Sequence, residues 1–181
     1  MASILKVDKI RGTGLDSDTM SFDASGNITI PKNVTFTGTT TGAGKVLQVL
    51  QATDESQRTV TGTSYATWSN TLSVAVTPTA SNSKFLVSFC SESYSALNAI
   101  SLYLTIFRDS TDIGHSSGYG LARHYANASD ISVGMNGVKL DSPNTASQIT
   151  YTVRAKLASG SGPAYFNSQT IGTLTVIEIA A

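Results

Sequence analysis

The side chains best suited to metal or acid–base chemistry cluster in one glycine-rich segment, Gly114 to Ser129. His115 and His124 lie in this segment, and three aspartates are close to it in sequence. Imidazole and carboxylate groups are ordinary metal ligands, but the spacing here matches no standard metal site. We therefore interpret these residues as polar loop positions and predict no metal centre.

Aromatic residues of the same segment are candidates for ligand binding. Tyr119 and Tyr125 lie in what the pattern indicates is the longest irregular segment of the chain, and loops often carry binding residues. Aromatic rings at a loop tip stack on sugars or anchor protein interfaces. The sequence therefore proposes Tyr119, His124 and Tyr125 as a ligand-binding loop, with a structural role for the rings as the alternative.

The sequence contains no convincing catalytic motif. The stretch Thr41–Val46 resembles a phosphate-binding loop, but Thr39 stands where that motif needs glycine and Val46 where it needs a magnesium-binding hydroxyl. The twelve acidic residues fall mostly in turns, which disfavours a paired-carboxylate hydrolase. We predict no enzyme activity, no catalytic residues and no cofactor.

Composition excludes other classes. Charged residues make up 13% of the 181-residue chain and the formal net charge is zero, so generic nucleic-acid binding is not expected. No apolar run approaches the length of a membrane span, so we expect no membrane insertion.

The single cysteine, Cys90, lies in an apolar run and is predicted to be a buried strand residue.

Residues 45–181 have the pattern of one all-β head domain. Alternating apolar residues, such as Ile100, Leu102, Leu104 and Ile106, indicate strands with one buried face. Turn residues separate the segments, and no helix is predicted. An antiparallel β-sandwich of jelly-roll type is the expected architecture. The eight predicted strands are Val46–Thr53, Tyr65–Trp68, Thr71–Val76, Lys84–Cys90, Ile100–Arg108, Ile131–Leu140, Thr150–Leu157 and Thr170–Ile179.

Residues 1–44 are predicted to be an extended N-terminal arm and linker with short β segments. Each segment has only a thin apolar stripe. Strands this short are marginally stable unless other copies of the chain or a larger particle cover the stripe. Packing between arms is assigned to Phe22, Ile28, Ile30, Val34 and Phe36, and docking to Ile4, Leu5, Val7 and Ile10.

The last predicted strand is apolar on both faces. Leu174 and Val176 alternate with Ile177 and Ile179, and Ile171 precedes them. One face suits the core of the sandwich, so the other is expected to pack on a neighbouring subunit or sheet.

Eight segments, taken in their order along the chain, carry a resemblance to a known class of proteins. They are Ala2–Ile10, Met20–Pro31, Val34–Gly38, Gly44–Gln51, Leu72–Pro78, Ser83–Val87, Phe107–Gly114 and Leu174–Ala180. Through them the chain resembles virion structural proteins of tailed bacteriophages, especially small fibre and decoration proteins of marine and cyanobacterial phages. The likeness covers most of the chain, and the order of the segments is more specific than any single segment.

The resemblance implies a homotrimer located in the virion, with a β-sandwich head and an arm that attaches to capsid or tail proteins. It implies no catalysis. Two alternatives stay open: a carbohydrate-binding module that recognises a host surface glycan, and a capsid cement protein that stabilises the head.

Overall fold

The computed structural model describes residues 9–10, 20–25, 28–29, 45–96, 100–159 and 162–181. The chain divides into two compact units, Met1–Ala43 and Gly44–Ala181. Every regular element among the described residues is a β-strand, and every strand pair is antiparallel. The all-β prediction is therefore confirmed.

The first unit contains a small three-stranded sheet in the order β1-β2-β3. Its strands are β1 (Lys9–Ile10), β2 (Met20–Phe22) and β3 (Ile28–Thr29). Ser21 pairs with Thr29 across β2 and β3. The predicted strands near Met20 and Ile28 are therefore present, whereas the one at Val34 and Phe36 lies outside the described residues.

Among its described residues, the second unit contains twelve strands. Alternating apolar residues supply the long ones, because β-branched and aromatic side chains suit a pleated surface with one buried face. The strands are β4 (Val46–Asp54), β5 (Arg58–Val60), β6 (Ala66–Thr67), β7 (Ser73–Val76), β8 (Lys84–Ser95), β9 (Ile100–Arg108), β10 (Thr111–Asp112), β11 (Ala122–Ala126), β12 (Ile131–Asp141), β13 (Ile149–Ser159), β14 (Ala164–Phe166) and β15 (Gly172–Ile179).

These strands form two sheets. In sheet 1, β15 lies between β4 and β8, and β12 pairs with the other side of β8. The short strand β14 also pairs with β8, on the same side as β15, and β5 pairs with β14. In sheet 2, β9 lies between β13 and the pair β10 and β11, and β13 also pairs with β6 and β7. Successive strands cross repeatedly from one sheet to the other, in the strand order of a jelly roll, as the sequence predicts.

The core lies between the inner faces of the two sheets. The predicted apolar alternation of β9 and β13 faces inward, since Leu102, Ile106 and Val153 are fully buried. Aromatic contacts join the layers: the rings of Phe85 in β8 and Tyr151 in β13 lie 5.8 Å apart.

Two predictions about individual positions are wrong. Cys90 lies in a strand but is exposed, because Phe89 and Ser91 take the inward positions of β8 and Cys90 takes the outward one. The segment from Gly114 to Ser129 is not wholly irregular, because β11 pairs with β9 within it. The sequence also missed β5 and β14, which have only three residues each.

Candidate interaction surfaces

The three predicted ligand residues do not form one loop. Tyr119 lies in the loop before β11 and is 57% exposed. His124 and Tyr125 are neighbours in β11, so their side chains point to opposite faces of sheet 2. Tyr125 is 60% exposed, whereas His124 is only 4% exposed. The structure therefore separates His124 from the two tyrosines.

His124 has a buried polar partner. Its Nδ1 lies 2.8 Å from Oγ of Ser93, while Nε2 has no partner among the described residues. Burial lowers the pKa of His124, because a charged imidazole is disfavoured away from water. A serine–histidine pair is a known nucleophile arrangement, but Ser93 is fully buried and out of reach of a substrate.

The loop that carries Tyr119 is fixed to sheet 2 by backbone contacts. Gly118 and Gly120 on either side of Tyr119 have φ angles of +73° and +72°, which favour glycine. A Cβ atom on Gly120 would lie 2.4 Å from the carbonyl oxygen of Leu104. The next residue, Leu121, donates its N–H to that same oxygen at 2.7 Å.

Tyr119 forms one wall of an open pocket on the outer face of sheet 2. The volume of this pocket is about 480 Å³. We call it the tyrosine–arginine pocket; its lining residues are Tyr103, Tyr119, Gly120, Leu121, Ala122 and Arg123. The rings of Tyr103 and Tyr119 lie 5.6 Å apart, so the pocket has two adjacent aromatic surfaces.

Strand register places two cations beside Tyr103. Arg123 in β11 and Lys156 in β13 are its direct neighbours in the sheet. The guanidinium carbon of Arg123 lies 5.7 Å from the ring centre of Tyr103 and 5.2 Å from that of Tyr125. The Nζ atom of Lys156 lies 4.4 Å from the ring centre of Tyr65. Among the described residues, neither cation forms an ion pair.

Sheet 1 carries a different surface on its outer face. Val49, Ile177, Leu86 and Leu140 lie in register across β4, β15, β8 and β12. We call these four residues the apolar row. Val49 is 61% exposed and Leu140 is 52% exposed. A sheet face that meets only water is normally polar, so this row is unusual.

Several acidic side chains that the sequence left unassigned hold the fold together. Asp141 accepts hydrogen bonds from Arg108 Nη1 and from the Tyr151 hydroxyl, which ties sheet 1 to sheet 2. Glu178 is fully buried and accepts hydrogen bonds from the backbone N–H of Thr79 at 2.7 Å and from its hydroxyl at 2.9 Å. Within the described ranges, His, Cys, Asp and Glu do not come together in groups of three as metal ligands.

The arm residues assigned from sequence are described only in part. Ile10, Phe22 and Ile28 lie in β1, β2 and β3. Their assigned roles in docking and packing stay predictions. The remaining assigned positions lie outside the described residues; they are Ile4, Leu5, Val7, Ile30, Val34 and Phe36.

Comparisons of the sequence with protein-family models and with curated proteins identify no relative. No helix long and apolar enough to cross a membrane occurs among the residues that the structure describes. The pocket and the apolar row therefore carry the functional argument.

Proposed function

We propose that this chain is a non-enzymatic structural protein of a bacteriophage virion. It acts as a homotrimer whose N-terminal arm docks on the tail or the capsid. The sequence resemblance supports the virion, the trimer and the arm. The apolar row is the observation that carries self-association, because its four side chains cross the whole width of sheet 1 on the side away from the core.

The chemistry of this face favours a second copy of the chain as its partner. The next cross-strand row consists of Gln51, Thr175, Ser88 and Val138, which are all uncharged. On the other side of the apolar row Ile179 pairs with the exposed Lys84, so one positive charge per chain borders this face. Within the apolar row and the Gln51 row no charge repels another copy. In a homotrimer, three copies of the apolar row can meet around a threefold axis, where each row packs against the other two. Burying the apolar row between copies would remove its side chains from water, at roughly 1.5–3 kcal/mol for each fully buried side chain.

Light scattering on the purified protein tests the proposal. The full chain is expected to have about three times its 18.9 kDa mass. Leu140→Lys places a charge in the apolar row and is expected to give a smaller species with an intact fold. Asn136→Lys is the matched control, since Asn136 lies on the outer face of the same strand and outside the row. It is expected to leave the mass unchanged.

The outcomes separate the head from the arm. A trimer that persists in Leu140→Lys would show that the apolar row is not the interface. A trimeric full chain with a monomeric 45–181 fragment would assign assembly to the arm. Monomers in both would contradict the proposed homotrimer.

Particle composition tests the virion assignment. Deleting residues 1–44 is expected to leave a folded head that no longer joins phage particles, as judged by mass spectrometry of purified virions. Incorporation of the truncated protein would contradict the docking role of the arm. Many copies per particle would indicate capsid decoration, and few copies a tail fibre.

A further inference from the structure

We propose that the tyrosine–arginine pocket binds an acidic saccharide, a glycan whose sugar rings carry carboxylate groups. The pocket lies on the outer face of sheet 2 and the apolar row on the outer face of sheet 1. Ligand binding and self-association therefore use different surfaces, and either can fail without the other.

Arg123 supplies the anion-binding group. Its Nε donates a hydrogen bond to Oγ of Ser101 at 3.1 Å, and no described residue accepts from its two terminal nitrogens. The rings of Tyr103 and Tyr125 flank the guanidinium. A guanidinium held in place through Nε can still donate from both terminal nitrogens, and their spacing matches the two oxygens of a carboxylate.

The tyrosines supply the surface for the sugar ring. Tyr119 is largely exposed and borders the pocket together with Tyr103. Aromatic faces pack against the apolar faces of sugars, and the hydroxyl group can remain in water. An aromatic wall beside a cation therefore selects a ligand that is both cyclic and anionic.

The loop is organised before any ligand arrives. The Tyr65 hydroxyl donates to the carbonyl oxygen of Gly118 at 3.1 Å, and the backbone N–H of Gly118 donates to His115 at 2.8 Å. The His115 ring also lies 5.6 Å from that of Tyr119. Because these contacts hold Tyr119 in position, binding costs less conformational entropy.

The surrounding charges also favour an anion. Lys156 lies on the far side of Tyr103 from Arg123 and adds a second positive charge beside the pocket. The nearby carboxylate of Asp112 is engaged, because it accepts hydrogen bonds from the Thr105 hydroxyl and from the N–H of Gly114. In a chain with zero net charge, this sheet face is locally cationic.

The test is calorimetric titration of the full chain with trigalacturonate and with its fully methyl-esterified form. The ester keeps the sugar rings and removes the charges. We expect saturable binding of trigalacturonate that weakens with added salt. Binding of the ester is expected to be at least about tenfold weaker, in line with the loss of a charge-assisted contact.

Variants locate the site. Arg123→Gln and Tyr119→Ala are each expected to weaken binding of trigalacturonate at least about tenfold while the urea midpoint stays close to that of the wild type. Arg154→Gln is the matched control, because Arg154 lies on the same sheet face but does not line the pocket. It is expected to bind like the wild type.

Three results would overturn the proposal: no binding of trigalacturonate, equal binding of the ester, or unchanged binding in Arg123→Gln. If Arg123→Gln alters the urea midpoint, Arg123→Lys serves as a second variant. It keeps the positive charge but loses the planar fork, so weaker binding is again expected and unchanged binding counts against the proposal.

Discussion

The Oγ atom of Ser93 in β8 lies 2.8 Å from Nδ1 of His124 in β11. This hydrogen bond joins a central strand of sheet 1 to an edge strand of sheet 2. Both side chains are buried, and burial lowers the pKa of the imidazole. His124 therefore serves the fold as a neutral residue and makes the stability of the fold sensitive to acid.

We predict that the head loses stability as the pH falls below neutral. Unfolded histidine titrates near pH 6.5, whereas folded His124 has a lower pKa, so the unfolded state takes up the proton first. The stability present above pH 6.5 is thus lost as the pH falls from 6.5 through the folded-state pKa. Urea midpoints at pH 7.5 and pH 5 measure this loss.

His124→Asn is expected to reduce this acid sensitivity, because the amide can still hydrogen-bond Ser93 and does not titrate. His115→Asn, at an exposed loop histidine, is the control and is expected to behave like the wild type. Asp54 does not contribute to the stability change between pH 7.5 and pH 5. Burial alone would raise its pKa, but hydrogen bonds from Arg58 and Ser69 lower it to about 2. Equal losses in the wild type and His124→Asn would contradict the prediction.

Removing the link between the sheets at Asp141 is expected to be costly. Arg108 Nη1 lies 2.6 Å from Oδ2 of Asp141, and the Tyr151 hydroxyl donates to the same oxygen at 2.8 Å. Asp141→Ala leaves both donors without their acceptor, so we expect a loss of about 3 kcal/mol in the free energy of unfolding. Tyr151→Phe removes one hydrogen bond and is expected to cost about 1 kcal/mol. Urea denaturation distinguishes these, and a loss in Asp141→Ala no larger than in Tyr151→Phe would refute the bridging role.

Glu178 is expected to need its charge. Burial alone would raise its pKa, but hydrogen bonds from Gln48 and Thr79 outweigh burial and lower it. Glu178→Gln risks turning a donor towards the Thr79 N–H, so we expect a loss of about 2 kcal/mol. Thr79→Val removes only the hydroxyl and is expected to cost about 1 kcal/mol. Thermal or urea unfolding measures both, and a neutral Glu178→Gln would show that the carboxylate is dispensable.

Gly120→Ala is expected to disturb the Tyr119 loop. The added Cβ would contact the carbonyl oxygen of Leu104 at 2.4 Å, and alanine disfavours the φ of +72°. We expect a loss of about 1–3 kcal/mol and a shift of the Tyr119 ring resonances in NMR spectra. Gly134→Ala is the control, because nothing lies within 4 Å of its added Cβ. Similar stability losses in the two variants would argue against a specific constraint at Gly120.

The alternation of Ile100, Leu102, Leu104 and Ile106 was enough to predict β9 and its inward face, because strand periodicity is a local property. The same reasoning identified β13, the long strands of both sheets, and the turn after Arg108. It missed β5 and β14, which have three residues each. β5 is held by pairing with β14, and β14 by pairing with β8, so their conformation depends on these neighbours rather than on their own residues.

The sequence by itself determined the long strands and the all-β class, and it proposed Tyr119 and Tyr125 as ligand residues, which stays a prediction. Only the tertiary structure decided which faces are covered. It placed Cys90 outward and His124 inward, although neither position follows from local composition. It also brought Arg123, Tyr103 and Lys156 into one row, because cross-strand neighbours are set by register between segments that are distant in the chain.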